Sequence, residues 1–358
     1  MRQTEAGLTL YNKNKATPGF TLLSPIRHHT VYLLDMDGEI VHRWAAKGKL
    51  GGLSYLLPDG HLATTEMAEG GPNLKLGRGG WLREYDWDGN LLWEYNDPLQ
   101  HHDFRRLPNG NTLYLVWERM SDEAAARVRG GVAGSEHEDG GIYGDCLKEV
   151  TPEGETVWEW HFQDMDIENY PMLPLCTRDE FAHANACFPM ENGDVMISFR
   201  RLSMIAIIDR QTRQFKWTHK DAYWGQQHDC QMLENGNILL FANGYLAPGR
   251  PGVAGLPYSR VIELDPETKE TVWTYQGKPV QTFFSPHISG AQRLWSGNTL
   301  ICEGAWGRIF EVTPPGEIVW EYINPHTFTL GEGDSGPLNW VFRAYRYAED
   351  SPQIQRRV

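Results

Sequence analysis

Residues 181–201 read FAHANACFPMENGDVMISFRR: a histidine, a turn at Glu191-Asn192-Gly193, a short apolar strand and two arginines. An Asn-Gly pair between two short runs marks a hairpin, because glycine accepts the positive φ that the turn demands. The same order recurs along the chain. His102 stands before Leu107-Pro108-Asn109-Gly110-Asn111, His228 before Leu233-Glu234-Asn235-Gly236-Asn237, and His287 before Leu294-Trp295-Ser296-Gly297-Asn298, each followed by an apolar run. The step from histidine to turn glycine is eight residues in two copies and ten in the other two. Strand side chains alternate faces, so an even difference keeps all four imidazoles on one side. Four histidines thus occupy one structural position in four copies of a unit.

A second signature marks the outer half of each unit: a turn, a short alternating strand, then tryptophan. It appears as Asp37-Gly38 with Trp44, Asp88-Gly89 with Trp93, Glu153-Gly154 with Trp158, Asp209-Arg210 with Trp217, Asp265-Pro266 with Trp273, and Pro315-Gly316 with Trp320. Six such copies predict an all-β, six-bladed β-propeller with four-stranded blades, the tryptophans packing between neighbours. The expected blades are 49–95, 101–160, 181–219, 226–275 and 285–322, preceded by an incomplete first copy at 19–44. Its missing inner strand is expected at 339–347, so that the C-terminal strand pairs into the N-terminal blade and closes the ring without a free edge.

The composition agrees with many short strands: 14 tryptophans, 37 glycines and 21 prolines, with no long amphipathic helical pattern. A net charge of −14, without a basic stripe, speaks against nucleic acid. No apolar run is long enough for a membrane span, and the N-terminus lacks an apolar leader core, so the expectation is a soluble, cytoplasmic protein with no membrane partner. The five cysteines, Cys146, Cys176, Cys187, Cys230 and Cys302, form no C-x-x-C pair and read as small buried strand residues.

Three irregular stretches interrupt the units. Residues 119–143 lie inside the third blade, with a helix expected over 122–128; residues 163–178 join the third blade to the fourth; residues 245–258 lie in the fifth. Insertions of this kind commonly wall or cover a binding face. In the second blade the register position of the site histidine falls at Gly51-Gly52, leaving an opening.

Several motifs together resemble the bacterial arylsulfotransferases. They are Pro18-Gly19-Phe20-Thr21-Leu22, the run from Tyr32 to Gly38 ending in Val41-His42-Arg43-Trp44, His101-His102-Asp103, and above all His183-Ala184-Asn185 with Arg201 eighteen positions after the histidine. The resemblance spans nearly the whole chain and implies a six-bladed propeller that moves a sulfuryl group between phenols without a nucleotide donor and without a cofactor. It implies His228 as the nucleophile and His183, Asn185 and Arg201 as the sulfate-binding residues, with His102 matching the family's histidine of the preceding blade. The chemistry is sound on its own terms: a neutral imidazole attacks sulfur while a guanidinium and further donors neutralise the equatorial oxygens. The chain departs from the family pattern in lacking a cysteine pair near the site and in carrying His287 as a fourth axial histidine.

Four converging imidazoles also suit a transition metal. A second reading therefore takes His102, His183, His228 and His287 as ligands of Zn, Cu or Fe in a metal-dependent enzyme acting on a small molecule. A third is a non-catalytic binding propeller. Asp103 and Asp229 directly follow their histidines and are expected on the opposite strand face. By the same alternation only one of Arg200 and Arg201 enters the funnel, and Arg201 is favoured by the family spacing. Trp117, Glu118, Asn243 and Glu303, at the ends of second strands, are candidate wall residues, with Arg200 and His287 as further substrate contacts. His101, His161, His219 and His326 lack register support and are expected at the surface. The partner implied is an aromatic or anionic small molecule.

Overall fold

Short strands turning on positive-φ glycines build every unit of the computed structural model, which describes residues 5–74, 77–247, 256–331 and 336–358. The inner-hairpin glycines Gly60, Gly110, Gly193, Gly236 and Gly297 all have φ between 81° and 89°, a conformation that other residues adopt only at a cost. Six four-stranded antiparallel units result. The first blade comprises Phe20–Leu23, Thr30–Leu34 and Ile40–Ala45; the second, Leu50–Leu56, Leu62–Met67, Gly80–Tyr85 and Leu91–Asn96. The third comprises Gln100–Arg106, Thr112–Arg119, Tyr143–Val150 and Thr156–His161, and the fourth Ala184–Pro189, Val195–Phe199, Met204–Ile208 and Phe215–Lys220. His228–Met232, Ile238–Ala242, Arg260–Leu264 and Thr271–Gln276 form the fifth, and Gly290–Arg293, Thr299–Glu303, Arg308–Val312 and Ile318–Ile323 the sixth.

The ring closes as the sequence predicts, with Tyr345–Tyr347 pairing antiparallel to Phe20–Leu23 as the innermost strand of the first blade. The strand is shorter than the stretch expected for it; upstream, only Val341 bridges to Pro25. A second closure was not foreseen: Gly7–Tyr11 adds a fifth strand to the outer edge of the sixth blade, against Ile318–Ile323. Both chain ends therefore cross the same seam.

The repeated tryptophans do more than fill space between blades. Each outer-strand indole donates to a turn carbonyl of the next blade: Trp44 to Asp86, Trp93 to Pro152, Trp158 to Arg210, Trp217 to Pro266, Trp273 to Pro314 and Trp320 to Met36, all at 2.8–3.0 Å. A buried indole N–H without a partner would be costly, and the repeat supplies that partner at every interface.

A helix forms at Asp122–Arg127, capped by Ser121. Behind it, Gly130–Val132 pairs in parallel with Met172–Thr177, so the insertions of 119–143 and 163–178 pack on each other. The centre of the 245–258 loop, residues 248–255, lies outside the described residues. No helix is long and apolar enough to cross a membrane, and all five cysteines are buried free thiols.

Candidate active site

A cavity of about 900 Å³ opens on one face of the ring, and His102, His183, His228 and His287 all line it. Arg200 joins them at its buried end. Ile26, Met67, Leu74, Ile288, Trp340 and Phe342 give apolar walls, while Arg27, Lys49, Arg78 and Glu69 stand at less buried positions. Among the described lining residues, four cations face one carboxylate in a chain of net charge −14. That imbalance makes a local positive potential, which suits an anion.

The backbone aims these side chains by breaking strand regularity. Register shifts interrupt the inner strands of blades three, four and five beside the histidines. Left-handed backbone sits at the same places: φ is 52° at His102, 56° at His183, 54° at Asp229 and 49° at Ile288. Such bulges re-aim a side chain, and their strain is tolerated where the surrounding structure fixes it.

Hydrogen bonds then decide the tautomer of His228. Its Nδ1 lies 2.8 Å from Asn243 Oδ1. The Asn243 amide nitrogen donates to the carbonyls of Ser285 (2.9 Å) and Ile288 (3.0 Å), so the oxygen must face the imidazole. His228 therefore holds its proton on Nδ1 and turns an unprotonated Nε2 to the cavity. His183 is set in the same sense, with Nδ1 2.5 Å from Glu180 Oε2, and the other Glu180 oxygen accepts from Trp117 Nε1 at 2.6 Å. His102 Nδ1 lies 2.8 Å from His101 Nδ1. Arg200 has no hydrogen-bond partner at its buried Nε, and His287 none at its buried Nδ1.

Burial keeps the cluster neutral. It holds His102, His183 and His228 well below the ordinary imidazole value, helped by the positive charge of Arg200, and pushes His287 down to about 4. Burial and neighbouring Arg201 also pull Arg200 down to about 10, still charged at neutral pH.

Other candidates fall outside the cavity lining. The strand ends at Phe199 and a 3-10 turn, Arg200–Leu202, reverses the expected choice of arginine. Arg201 is held away by Asp179 (2.8 Å) and by the carbonyls of Thr177 (2.7 Å) and Glu180 (2.5 Å). Asn185 is fully buried and donates to Gln227 O at 2.8 Å, tying blade four to the strand that carries His228. Trp117 stacks on His101 with ring centroids 4.7 Å apart. Glu118 pairs with His161 at 2.7 Å, and Glu303 lines a different cavity at the outside of the sixth blade. Asn243 acts on the cavity only through His228. His101, expected at the surface, is fully buried, because its bulged strand turns both neighbouring imidazoles inward.

Among the described residues the expected covering insertions contribute no lining residue; Asp179 and Glu180, just after the second of them, hold Arg201 and His183. Much of the wall comes from residues 67–70, 73, 74, 77 and 78 of the second blade and from Leu330, Trp340 and Phe342. A Gly-Gly-Pro-Asn run at Gly70–Asn73 between two strands was the available signal for the former. Gly77 in that loop has φ 83°, and a Cβ there would overlap the His102 imidazole. Gly77→Ala is expected to push the His102 ring aside and to strain the backbone, so that any turnover seated in the cavity falls by about a hundredfold, the scale of a misplacement of about 1 Å, and the melting temperature falls with it; steady-state kinetics below the variant's melting temperature, beside a thermal melt, checks this.

Sequence reasoning also missed Arg343. Its guanidinium reaches Asp103 (2.8 Å), Asp229 (3.1 Å) and Asn185 O (2.9 Å), joining the closing segment to blades three, four and five. Asp103 and Asp229 are thus both paired with this guanidinium beneath the histidines. Among the described residues, the sets of three His, Cys, Asp or Glu with ligand atoms within 4.8 Å of one another are Glu118–Cys146–His161, Asp59–His61–Glu84 and His101–Asp145–Glu180. The four cavity histidines do not form one.

The fold is shared with a protein of unknown function from Bacteroides caccae, 14% identical, with 92% of this chain and 98% of that one covered at a TM-score of 0.55. Virginiamycin B lyase from Staphylococcus aureus, solved with quinupristin, is 10% identical over 89% of each chain with a TM-score of 0.47. No functionally curated protein matches the chain in sequence. Residues 54–325, covering five of the six blades and all four cavity histidines, match the family described as arylsulfotransferase (ASST), and the chain belongs to that family.

Proposed function

We propose that the chain transfers a sulfuryl group from an aryl sulfate to a phenol, through a covalent intermediate on His228. The observation that carries this reading is an imidazole whose tautomer is fixed by Asn243, with its free Nε2 turned into a cavity that also holds Arg200, whose buried Nε has no hydrogen-bond partner. The Nε2–S bond forms as the S–O bond to the aryl group breaks, and the electron pair leaves on the phenolate oxygen. Arg200 stabilises the equatorial oxygens. His183, whose Nδ1 is held by Glu180, gains a proton more readily once an anion lies beside it. A second phenol then attacks sulfur and returns His228 to its neutral form. The family match supports the reaction class; the apolar walls and the cationic cavity support an aromatic, anionic substrate.

The test is transfer of labelled sulfur from phenyl sulfate to a phenol, with labelled His228 trapped when acceptor is withheld. No transfer across a broad panel of aryl sulfates would overturn the proposal. The reading uses no metal, and elemental analysis separates it from the alternative: a stoichiometric metal lost together with activity on His287→Ala would favour a metal enzyme.

The pH profile follows from the same geometry. Only neutral His228 attacks, and burial and Arg200 hold its pKa well below the ordinary value. The acid limb of kcat/KM is therefore expected below about pH 6.5. Arg200→Ala removes one of the charges that lower this pKa, so the limb shifts to higher pH while the plateau falls about a hundred- to a thousandfold.

A further inference from the structure

Beneath the cavity, between blades three and four, lies a wholly buried set of titratable groups that binding of the sulfate does not use. His101 is fully buried, stacks flat on Trp117 and meets His102 through the two Nδ1 atoms at 2.8 Å. On its other side, His101 Nε2 lies 3.5 Å from Asp145 Oδ1. The same Asp145 oxygen accepts the Ala184 backbone N–H at 2.9 Å, which fixes the carboxyl in place. Asp145 Oδ2 and His101 Nε2 are buried without a hydrogen-bond partner. A line of buried side chains therefore runs from the cavity through His102 and His101 to the Asp145 carboxyl, and its last step, 3.5 Å from His101 Nε2 to Asp145 Oδ1, must shorten for a proton to pass.

Two neighbouring Nδ1 atoms at hydrogen-bond distance share one proton. If His101 Nδ1 donates, His102 carries its own proton on Nε2, facing the cavity, and His101 Nε2 is bare toward Asp145. If His102 Nδ1 donates instead, His101 Nε2 is protonated toward Asp145 and His102 Nε2 is bare. Moving one proton between Asp145 and the cavity flips both rings together.

We propose that His102, His101 and Asp145 form a proton relay that protonates the leaving phenolate and takes the proton back from the acceptor phenol, with Asp145 as the store. The use made of the proton rests on the sulfuryl-transfer reading. In the first half-reaction the phenolate oxygen takes the Nε2 proton of His102. His102 Nδ1 takes that of His101, and His101 Nε2 takes that of Asp145, which ends as carboxylate while sulfur sits on His228. In the second half-reaction the acceptor hydroxyl gives its proton to His102 Nε2 as its oxygen attacks sulfur, and each transfer reverses. No proton is gained or lost over the cycle, so no outside acid is needed.

The surroundings favour a proton on the store in the resting enzyme. Burial, with the Glu180 carboxylate next in effect, raises Asp145 well above the ordinary carboxylate range, and Glu118 adds to this; the Ala184 N–H and Arg201 oppose it. Burial pulls His101 down to about 4, opposed by Glu180 and the Val116 carbonyl, so it is neutral. His183, His228 and Arg200 face His102 from blades four and five and keep it neutral as well.

The experiment compares two donors whose leaving phenols differ in acidity. Asp145→Asn keeps an acceptor for Ala184 N–H but cannot release a proton. It is expected to lower kcat/KM for the donor, which reports the first half-reaction alone, about a hundredfold or more with phenyl sulfate, whose phenolate needs a proton, and only a few-fold with 4-nitrophenyl sulfate, whose phenolate does not. His101→Gln, which also breaks the line, should show the same split. Equal losses with both donors would mean a structural role and overturn the relay. A second readout does not depend on turnover. Nitrogen NMR of the resting protein should show the His101 and His102 tautomers flipping together as pH rises, and no such flip in Asp145→Asn. Independent behaviour of the two rings, or an unchanged flip in the variant, overturns the relay even if the enzyme acts on no aryl sulfate. A metal ion bound stoichiometrically by His101, Asp145 and Glu180 would do so too.

Discussion

Replacement of His228 by alanine is expected to lower sulfuryl transfer about ten-thousandfold or more, the scale of losing a covalent nucleophile. The protein should stay folded, because removing the ring deletes one hydrogen bond to Asn243, whose own donors remain on Ser285 and Ile288. The decisive comparison is with His287→Ala. Both rings line the cavity, yet only His228 has its tautomer fixed by a side chain whose orientation is itself fixed. His287 instead packs edge-on against Trp340, with ring centroids 4.4 Å apart. Retention of labelled sulfur on the chain should disappear in His228→Ala and persist in His287→Ala. Labelling that survives loss of His228 would place the nucleophile elsewhere.

The largest expected effect on stability comes from Arg343→Leu. The guanidinium neutralises Asp103 and Asp229, both almost completely buried, and also caps the Asn185 carbonyl. Removing one partner of a buried ion pair strands the other charge in a medium that solvates it poorly, at about 3–5 kcal/mol. Asp103 keeps Arg105 at 3.1 Å, so the larger share of the loss falls on Asp229, which retains the Ala291 N–H at 3.0 Å and the more distant charge of Arg105. Arg343→Leu combined with Asp229→Asn should therefore recover part of the loss. Urea unfolding of both variants checks this, and a double variant no more stable than the single would show that the cost arises from packing instead.

Those two residues also mark where sequence reasoning stops. Repetition made the fold legible, since the Asn-Gly turns and tryptophans are local signals set by backbone conformation and strand alternation. The even spacing of the four histidines carried that alternation as far as a shared cavity. It fails where regularity ends. Arg200 replaces Arg201 in the lining because a 3-10 turn begins one residue after the strand, and His101 is buried because a bulge suspends the two-residue period. Strand alternation turns Asp103 away from the cavity, but its partner Arg343 lies 240 positions along the chain. No local pattern announces a charge pair made by ring closure. Asp145 and Glu180, which stand behind His101 and His183, come from a third strand and from the lead-in to blade four, neither of which carries a repeat signature.

The six indole-to-carbonyl contacts have a consequence for how such a ring can change in size. Every unit offers a donor on one flank and an acceptor on the other, so each joint is head-to-tail and all joints are chemically alike. Head-to-tail joints close at whatever count the rotation between neighbours allows, and nothing in the bond itself registers the number six. Gain or loss of one whole repeat by recombination leaves every indole matched, whereas a breakpoint inside a repeat strands a donor or an acceptor.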